Sequence, residues 1–260
     1  MIIAFANRHE LIEFIGTGAT STMVELGVFE GEFSAHCRRV LNPGRLTLID
    51  HWDYSKYDFV LEGAPQSRHI RSIFKQYFHG DPEKALQAAY VKVLDRFRGD
   101  SSVDVLRLDI AEAAGQFADA SVDIIYLDGS HTYEHVLRDL HLWFPKLSPG
   151  GLFICNDFYE SQISSLQNMG VIPAIQTFAK RQKIYPIVLS ASDWSDFYFS
   201  NQPSSSLINR VTDGLLTSGR NAVNIPLELL GSYHHDLISL SNGGQRWLPS
   251  FSSKDIALLS

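Results

Sequence analysis

Apolar positions along the chain fall into alternating helical and strand rhythms. From Arg8 to Ile15, Leu11, Ile12, Phe14 and Ile15 recur at helical spacing before Gly16 to Thr20 breaks the pattern with small and polar residues. Met23-Val24-Glu25-Leu26-Gly27-Val28 reads as a strand ending in glycine. Glu32 to Leu41 then sets Phe33, Cys37, Val40 and Leu41 on one helical face, and Asn42-Pro43-Gly44 stops that helix. Leu46-Thr47-Leu48-Ile49 is a second apolar strand closed by Asp50, completing a strand-helix-strand unit that requires a parallel sheet.

From His51 to Ser102 the pattern loosens into an insertion rich in aromatic residues, with Trp52, Tyr54, Tyr57, Phe59, Phe74, Tyr77 and Phe78. Its first part serves equally as a lid over a pocket or as core packing. It closes with a helix signalled by Asp81 as cap, Pro82 in the first turn and Leu86, Tyr90, Val93, Leu94 and Phe97 at three- and four-residue steps. The alternation resumes with strand 103–108 ending at Asp109, a short helix 111–117, and strand 122–127 ending at Asp128. A long amphipathic helix with Val136, Leu137, Leu140, Trp143, Phe144 and Leu147 follows, and Ser148-Pro149-Gly150-Gly151 predicts a turn into strand 152–156, with Asp157 at its end. One more helix, through Val171, Ala174, Ile175, Phe178 and Ala179, leads to strands 184–190 and 196–200, which have no helix between them and so predict an antiparallel hairpin at the sheet edge. Beyond Asn201 the chain turns to Ser, Asn and Gly with shorter apolar runs. The division expected is a domain over 1–200, with an insertion at about 53–102, and a C-terminal extension of uncertain order over 201–260. The fold class is α/β: a doubly wound, Rossmann-like, mostly parallel seven-stranded sheet with an antiparallel edge hairpin and helices on both faces.

Composition narrows the function. With 260 residues, 45% hydrophobic and 20% charged, the chain has globular values. A net charge of -7 supplies no field to gather phosphate backbones, so nucleic acid is not the expected partner. No apolar run approaches the roughly 18 residues needed to cross a bilayer, and the opening segment does not read as an export signal. Cys37 and Cys155 are the only 2 cysteines and form no Cys-x-x-Cys pair, which suits a reducing cytoplasmic compartment.

In an open parallel sheet the ligand crevice lies beyond the carboxyl ends of the strands, where this chain places Glu25, Asp50, Asp109, Asp128 and Asp157. Any one of them serves as well as a helix cap; together they call for something cationic or rich in hydrogen-bond donors among them. The turn Gly27-Val28-Phe29-Glu30-Gly31 lacks the Gly-x-Gly-x-x-Gly spacing that brings a backbone against a pyrophosphate, which disfavours an NAD(P)-dependent oxidoreductase. An acid before the turn and Asp50 closing the next strand suit a nucleoside whose ribose diol donates to a carboxylate, although the two glycines also serve simple close packing.

Several stretches together carry a family resemblance: Val24-Glu25-Leu26-Gly27-Val28-Phe29-Glu30-Gly31-Glu32-Phe33-Ser34, Leu48-Ile49-Asp50-His51-Trp52, Tyr126-Leu127-Asp128-Gly129-Ser130-His131-Thr132-Tyr133-Glu134, Pro149-Gly150-Gly151-Leu152 and Trp194-Ser195-Asp196-Phe197-Tyr198-Phe199. The chain resembles class I S-adenosylmethionine-dependent methyltransferases of the Methyltransf_24 group, which are similar to macrocin-type O-methyltransferases. The resemblance implies S-adenosylmethionine as cofactor, with the turn from Glu25 through Gly27 and Phe29 to Gly31 passing its methionine part. It further implies Asp50 on the ribose hydroxyls, Trp52 packed on the adenosine, Asp109 accepting from the adenine amino group, and the Ile110 backbone beside the ring. Leu108 stands where the group often has glycine, and Asn156 where it often has His or Asp.

Methyl transfer to oxygen requires loss of the acceptor's proton, to a base or with help from a divalent cation. Asp128, His131 and Asp157 are the catalytic candidates, with His131 as a neutral imidazole base near pH 7, although a lone histidine is as readily a capping residue. Asp128, Asn156 and Asp157 are the candidate oxygen ligands for Mg²⁺. The expected partner is a small, sugar-like or planar hydroxyl compound, with a homo-oligomer as a further expectation. A catalytically silent cofactor-binding or assembly module is the alternative from another class. His234-His235-Asp236 reads as a solvated polar turn without a role.

Overall fold

The computed structural model describes residues 1–56, 80–161, 164, 169–192 and 194–251. Tyr57, Phe59, Phe74, Tyr77 and Phe78 of the expected insertion lie outside the described residues, as does 252–260 of the extension. The described elements follow the expected alternation: β1 (Ile2–Ala4), α1 (Arg8–Ile15), β2 (Thr22–Leu26), α2 (Glu32–Leu41), β3 (Arg45–Asp50), α3 (Pro82–Arg96), β4 (Val103–Arg107), α4 (Ile110–Ala113) and β5 (Val122–Leu127). They continue with α5 (Tyr133–Trp143), β6 (Leu147–Cys155), α6 (Val171–Arg181), β7 (Tyr185–Ser190), β8 (Phe197–Ser200), α7 (Ser206–Thr217), β9 (Ala222–Asn224), β10 (His234–Ser239) and β11 (Gln245–Ser250). Among the described residues no helix is long and apolar enough to cross a membrane.

The main sheet runs β4-β3-β2-β5-β6-β8-β7-β1-β9. β4, β3, β2, β5 and β6 pair in parallel, and β8 lies antiparallel between β6 and β7, as the missing helix between the last two strands predicted. The strand count differs from the expected seven. β1 adds in parallel to β7, and β9 adds antiparallel to β1, giving 9 strands. Both additions are 3 residues long, too short to display a period-two pattern.

Two apolar layers cover the faces. Val24, Leu26, Ile125 and Leu127 meet Leu140 and Trp143 of α5 and Phe178 of α6, while Met23, Leu46, Leu48 and Ile124 meet Leu11 of α1, Phe33 and Cys37 of α2, and Val211 of α7. Alternate strand residues point to opposite faces, so a strand buried on both sides reads as a near-continuous apolar run. Helix α7 is a substantial part of the second layer, with Leu207, Ile208, Val211 and Leu215 buried and Ser205 capping it through the Ile208 amide. The boundary expected at residue 200 therefore does not mark the end of the sheet or of its core.

The turn expected at Ser148-Pro149-Gly150-Gly151 is instead part of β6. Val122 pairs with Leu147 and Ile124 with Leu152, so the intervening residues bulge out of the ladder, which is where a strand tolerates Pro and Gly. The expected cap is present, with Asp81 accepting from the Lys84 amide at 3.2 Å; the structure adds a capping box of Asn7 and Glu10 on α1.

Candidate functional site

The chain reverses its sheet order between β2 and β5, and the loops beyond these strands meet there. Gly27 has φ +90°, and a Cβ at this position would lie 2.0 Å from the Asp128 carbonyl oxygen and 2.8 Å from the Gly129 Cα. Only glycine allows this approach of the two backbones. The Gly27 amide donates to Ile49 O at 2.8 Å and the Asp128 amide to Leu26 O at 2.7 Å, so the loop ends of three adjacent strands are pinned together. Gly31, with φ +70°, forms the left-handed entry to α2.

Asp50 sits at the end of β3 and turns into this loop. Its Oδ2 accepts from the Val28 and Phe29 amides, both at 3.0 Å, and its Oδ1 from the Trp52 amide at 2.9 Å. A carboxylate has about four lone-pair sites, so Asp50 retains room for one further donor rather than the two expected of a ribose diol. Trp52 corrects another expectation. It is 1% exposed, has φ +43°, packs its ring 5.0 Å from Tyr90 and donates its indole N–H to Phe29 O at 2.7 Å. It therefore staples the loop from within the core and offers no face for an adenosine.

Asp128, His131 and Asp157 come together as expected. His131 Nε2 lies 3.4 Å from Asp128 Oδ1 and 3.5 Å from Asp157 Oδ2. The His131 side chain is 27% exposed, but its Nε2 atom is shut off from solvent between the carboxylates. Burial alone would lower the imidazole pKa; Asp157 and Asp128 overcome this and push it up to about 9. His131 is thus an imidazolium at neutral pH, which corrects the expectation of a neutral base. Desolvation pushes the Asp157 carboxyl up to about 6 against the pull of His131. Asp157 has φ +57°, a conformation Asp tolerates better than most residues, and it turns the end of β6 back toward the histidine.

Sequence reasoning missed the residue that completes this cluster. Arg8, at the start of α1, donates from Nη1 to Tyr126 Oη at 2.8 Å and to Asp128 Oδ2 at 3.2 Å, with its guanidinium carbon 5.0 Å from the centre of the Phe33 ring. Tyr126 in turn donates to Asp196 Oδ1 at 3.0 Å, and Asn156 Nδ2 donates to the same oxygen at 2.9 Å. Burial pushes the Asp196 carboxyl up to about 7 and that of Glu25, which accepts from the Ser34 hydroxyl, up to about 8. Tyr126 and Asp196 both lie in stretches that carry the resemblance, but their polarity facing inward from apolar strands was the only signal. Arg8 had none beyond being a cation.

These contacts test the Mg²⁺ expectation, and the residues do not fit. His131 occupies the position between Asp128 and Asp157 that a cation would need, and the Asn156 amide is turned to Asp196. Among the described residues no group of three or more His, Cys, Asp or Glu is arranged to hold a metal ion. Asp109 caps α4 through the Ala111 amide at 2.8 Å and lies 3.9 Å from Arg138, while Ile110 is buried with its carbonyl accepting from Trp143 Nε1 at 3.0 Å. Their expected adenine contacts rest on position alone. His234 and His235 are buried at the start of β10, not solvated. His235 stacks on Tyr159 with centroids 5.0 Å apart and sits 3.2 Å from Ser195 Oγ.

A parallel sheet with its switch point between β2 and β5, an antiparallel β8 and an acid-lined carboxyl edge defines the class I methyltransferase architecture. The chain belongs to the Methyltransf_24 family, described as a methyltransferase domain, whose model matches residues 24–158, just over half of its length. Over 53 residues it is 40% identical to the uncharacterized protein y4gI of Sinorhizobium fredii, a stretch covering 20% of this chain and 6% of that protein. Over 59 residues it is 37% identical to 8-demethyl-8-alpha-L-rhamnosyl tetracenomycin-C 2'-O-methyltransferase of Streptomyces olivaceus, covering 23% of this chain and 14% of that enzyme. The chain thus spans only a small part of the length of the curated relatives it matches. Among solved structures, N-methyltransferase NodS from Bradyrhizobium japonicum WM9 is similar with a TM-score of 0.48 and 16% identity, over 74% of this chain and 93% of that one. Aeropyrum pernix fibrillarin with natively bound S-adenosyl-L-methionine gives a TM-score of 0.45 at 14% identity, over 71% of this chain and 67% of that one.

Proposed function

We propose that the chain transfers a methyl group from S-adenosylmethionine to a hydroxyl oxygen of a small, sugar-like or planar acceptor. The observation that carries this reading is the Asp128–His131–Asp157 cluster, held by Arg8 beside the Gly27 turn in a chain of the methyltransferase family. The residues present fit the cofactor. The edge offers the carboxylates of Asp50 and Asp128 to a molecule carrying a positive sulfur, and Asp50 retains one acceptor site for a ribose hydroxyl. The relative from Streptomyces olivaceus methylates an oxygen, as its name states, which favours a hydroxyl acceptor, and the net charge of -7 favours a small molecule over nucleic acid.

When bound, S-adenosylmethionine supplies a methyl group already activated on sulfur. The chain's own work is alignment and disposal of one proton. The proton that the acceptor hydroxyl loses on taking the methyl group would pass to the cluster. Asp128, 25% exposed, is its accessible carboxylate, and Arg8 and His131 hold it in place. The imidazolium returns the cluster to its resting state by exchanging with water at its exposed edge.

Calorimetry with S-adenosylhomocysteine, followed by turnover with 8-demethyl-8-alpha-L-rhamnosyl tetracenomycin C and other rhamnosides, tests the reading. Asp128→Asn is expected to lower kcat by about 10²- to 10⁴-fold with homocysteine-product affinity within a few-fold of wild type. EDTA is expected to leave turnover unchanged. Absence of any binding of the adenosyl product, or tight NADH binding in its place, would overturn the proposal.

A further inference from the structure

A cation at the carboxyl edge has donors left over. Arg8 spends Nη1 on Tyr126 and Asp128, and its Nε and Nη2 groups make no hydrogen bond among the described residues. Its side chain is 29% exposed, so this unused side of the guanidinium is open. Nε–H and one Nη2–H form a fork with the spacing of the two oxygens of a carboxylate, and Arg–carboxylate pairs made this way combine charge with geometry. The fork cannot swing freely. Phe33 packs 5.0 Å from the guanidinium carbon, and the Tyr126 ring lies 5.9 Å away, so its direction is fixed by two aromatic faces as well as by two hydrogen bonds.

Its location points to a particular anion. Arg8 contacts Asp128, whose backbone abuts Gly27, and Phe33, the second residue of the helix that the Gly27 to Gly31 turn opens. The other charges around it are Asp128 and the His131–Asp157 pair, with the carboxyls of Glu25 and Asp196, both pushed up by burial, behind them. The ionised carboxylates among these groups suit the positive sulfur and the ammonium of an amino-acid tail but repel its carboxylate, and the His131 Nε2 is shut between Asp128 and Asp157. Among the described residues, Arg107 is taken up by the His51 and Trp52 carbonyls and Arg138 by Asp139 and Asp109. We propose that Arg8 receives the α-carboxylate of the cofactor's methionine moiety through its Nε–Nη2 edge, while Nη1 stays on Asp128. This inference rests on the reading of the chain as an S-adenosylmethionine enzyme and assigns a binding residue outside residues 24–158. It also makes α1 part of the cofactor site, so that cofactor binding and the alignment of Asp128 depend on the same side chain.

The test compares S-adenosylhomocysteine with its decarboxylated analogue, which lacks only the carboxylate, by calorimetry on the full chain. Wild type is expected to prefer S-adenosylhomocysteine by about 10- to 100-fold, the range of a charge-assisted bidentate contact. In Arg8→Met that preference should collapse to within about threefold, whatever the change in binding of the analogue; Arg8→Lys, which keeps the charge and loses the fork, should fall between. An undiminished preference in Arg8→Met, or an equal weakening of both ligands, would overturn the assignment. If Arg8→Met fails to fold, the wild-type preference and Arg8→Lys still decide: no preference in wild type, or a full one in Arg8→Lys, overturns it. Failure of wild type to bind either ligand would instead overturn the cofactor reading itself.

Discussion

Replacing Gly27 by alanine perturbs a point where the loops after β2 and β5 touch. The new Cβ would stand 2.0 Å from the Asp128 carbonyl oxygen and 2.5 Å from its carbon, and real Cβ contacts essentially never fall under 3.0 Å, so the loops must separate by at least about 1 Å. That separation stretches the 2.7 Å bond from the Asp128 amide to Leu26 O beyond useful length, about 1 kcal/mol. The φ of +90° adds strain of about 1–3 kcal/mol for a side-chain-bearing residue. The sum is about 2–4 kcal/mol, a fall of roughly 4–16 °C in Tm for a chain of this size. Gly18→Ala is the control. It has φ +73° with nothing within 4 Å of the added Cβ, so it should lose only about 1 kcal/mol. Thermal and urea unfolding would measure both variants, with S-adenosylhomocysteine calorimetry to show whether the displaced Asp128 backbone also weakens binding. If Gly27→Ala melts within about 2 °C of wild type, or no lower than Gly18→Ala, the loop contact does not have the tightness argued here.

Two further predictions concern the buried charges. Glu25 is held neutral by burial, with its carboxyl moved from 4.5 up to about 8, so the folded state disfavours its ionisation and stability falls as pH rises from 4.5 to 8. Glu25→Gln keeps an acceptor for Ser34 and cannot ionise; it should raise stability at pH 7 by about 1–3 kcal/mol, measured by urea unfolding, and a destabilised variant would contradict the argument. His131 works the other way. Its folded pKa is raised from 6.5 to about 9, so its stabilisation is complete below pH 6.5 and disappears as pH climbs through 9. Since Glu25, Asp157 and Asp196 also titrate upward of their ordinary values, the comparison must be with His131→Asn, whose urea midpoint should fall less than that of wild type between pH 6.5 and 9. Parallel profiles for the two proteins would show that the carboxylates do not hold an imidazolium.

The amino-acid sequence by itself determined the alternation of strands and helices, the antiparallel pair β7 and β8, and the acids at the strand ends. These follow from local rules: an apolar run of strand length, a helical stripe, and a cap such as Asp81 within four residues of the amide it serves. It also brought Asp128, His131 and Asp157 to one edge, because strand ends in a parallel sheet share an edge whatever their partners. What each carboxylate does there was decided only by the tertiary structure. Asp50 spends most of its lone pairs on backbone amides, Trp52 faces the core, Asn156 turns to Asp196, and Arg8 reaches Asp128 from 120 residues away in the chain. Strands β1 and β9 were equally hidden, each being held by a register with a remote neighbour and not by a pattern of its own. Periodicity records which face of an element is dry. The partner of a polar group depends on which donors and charges distant segments deliver to it, and on how much water their packing removes.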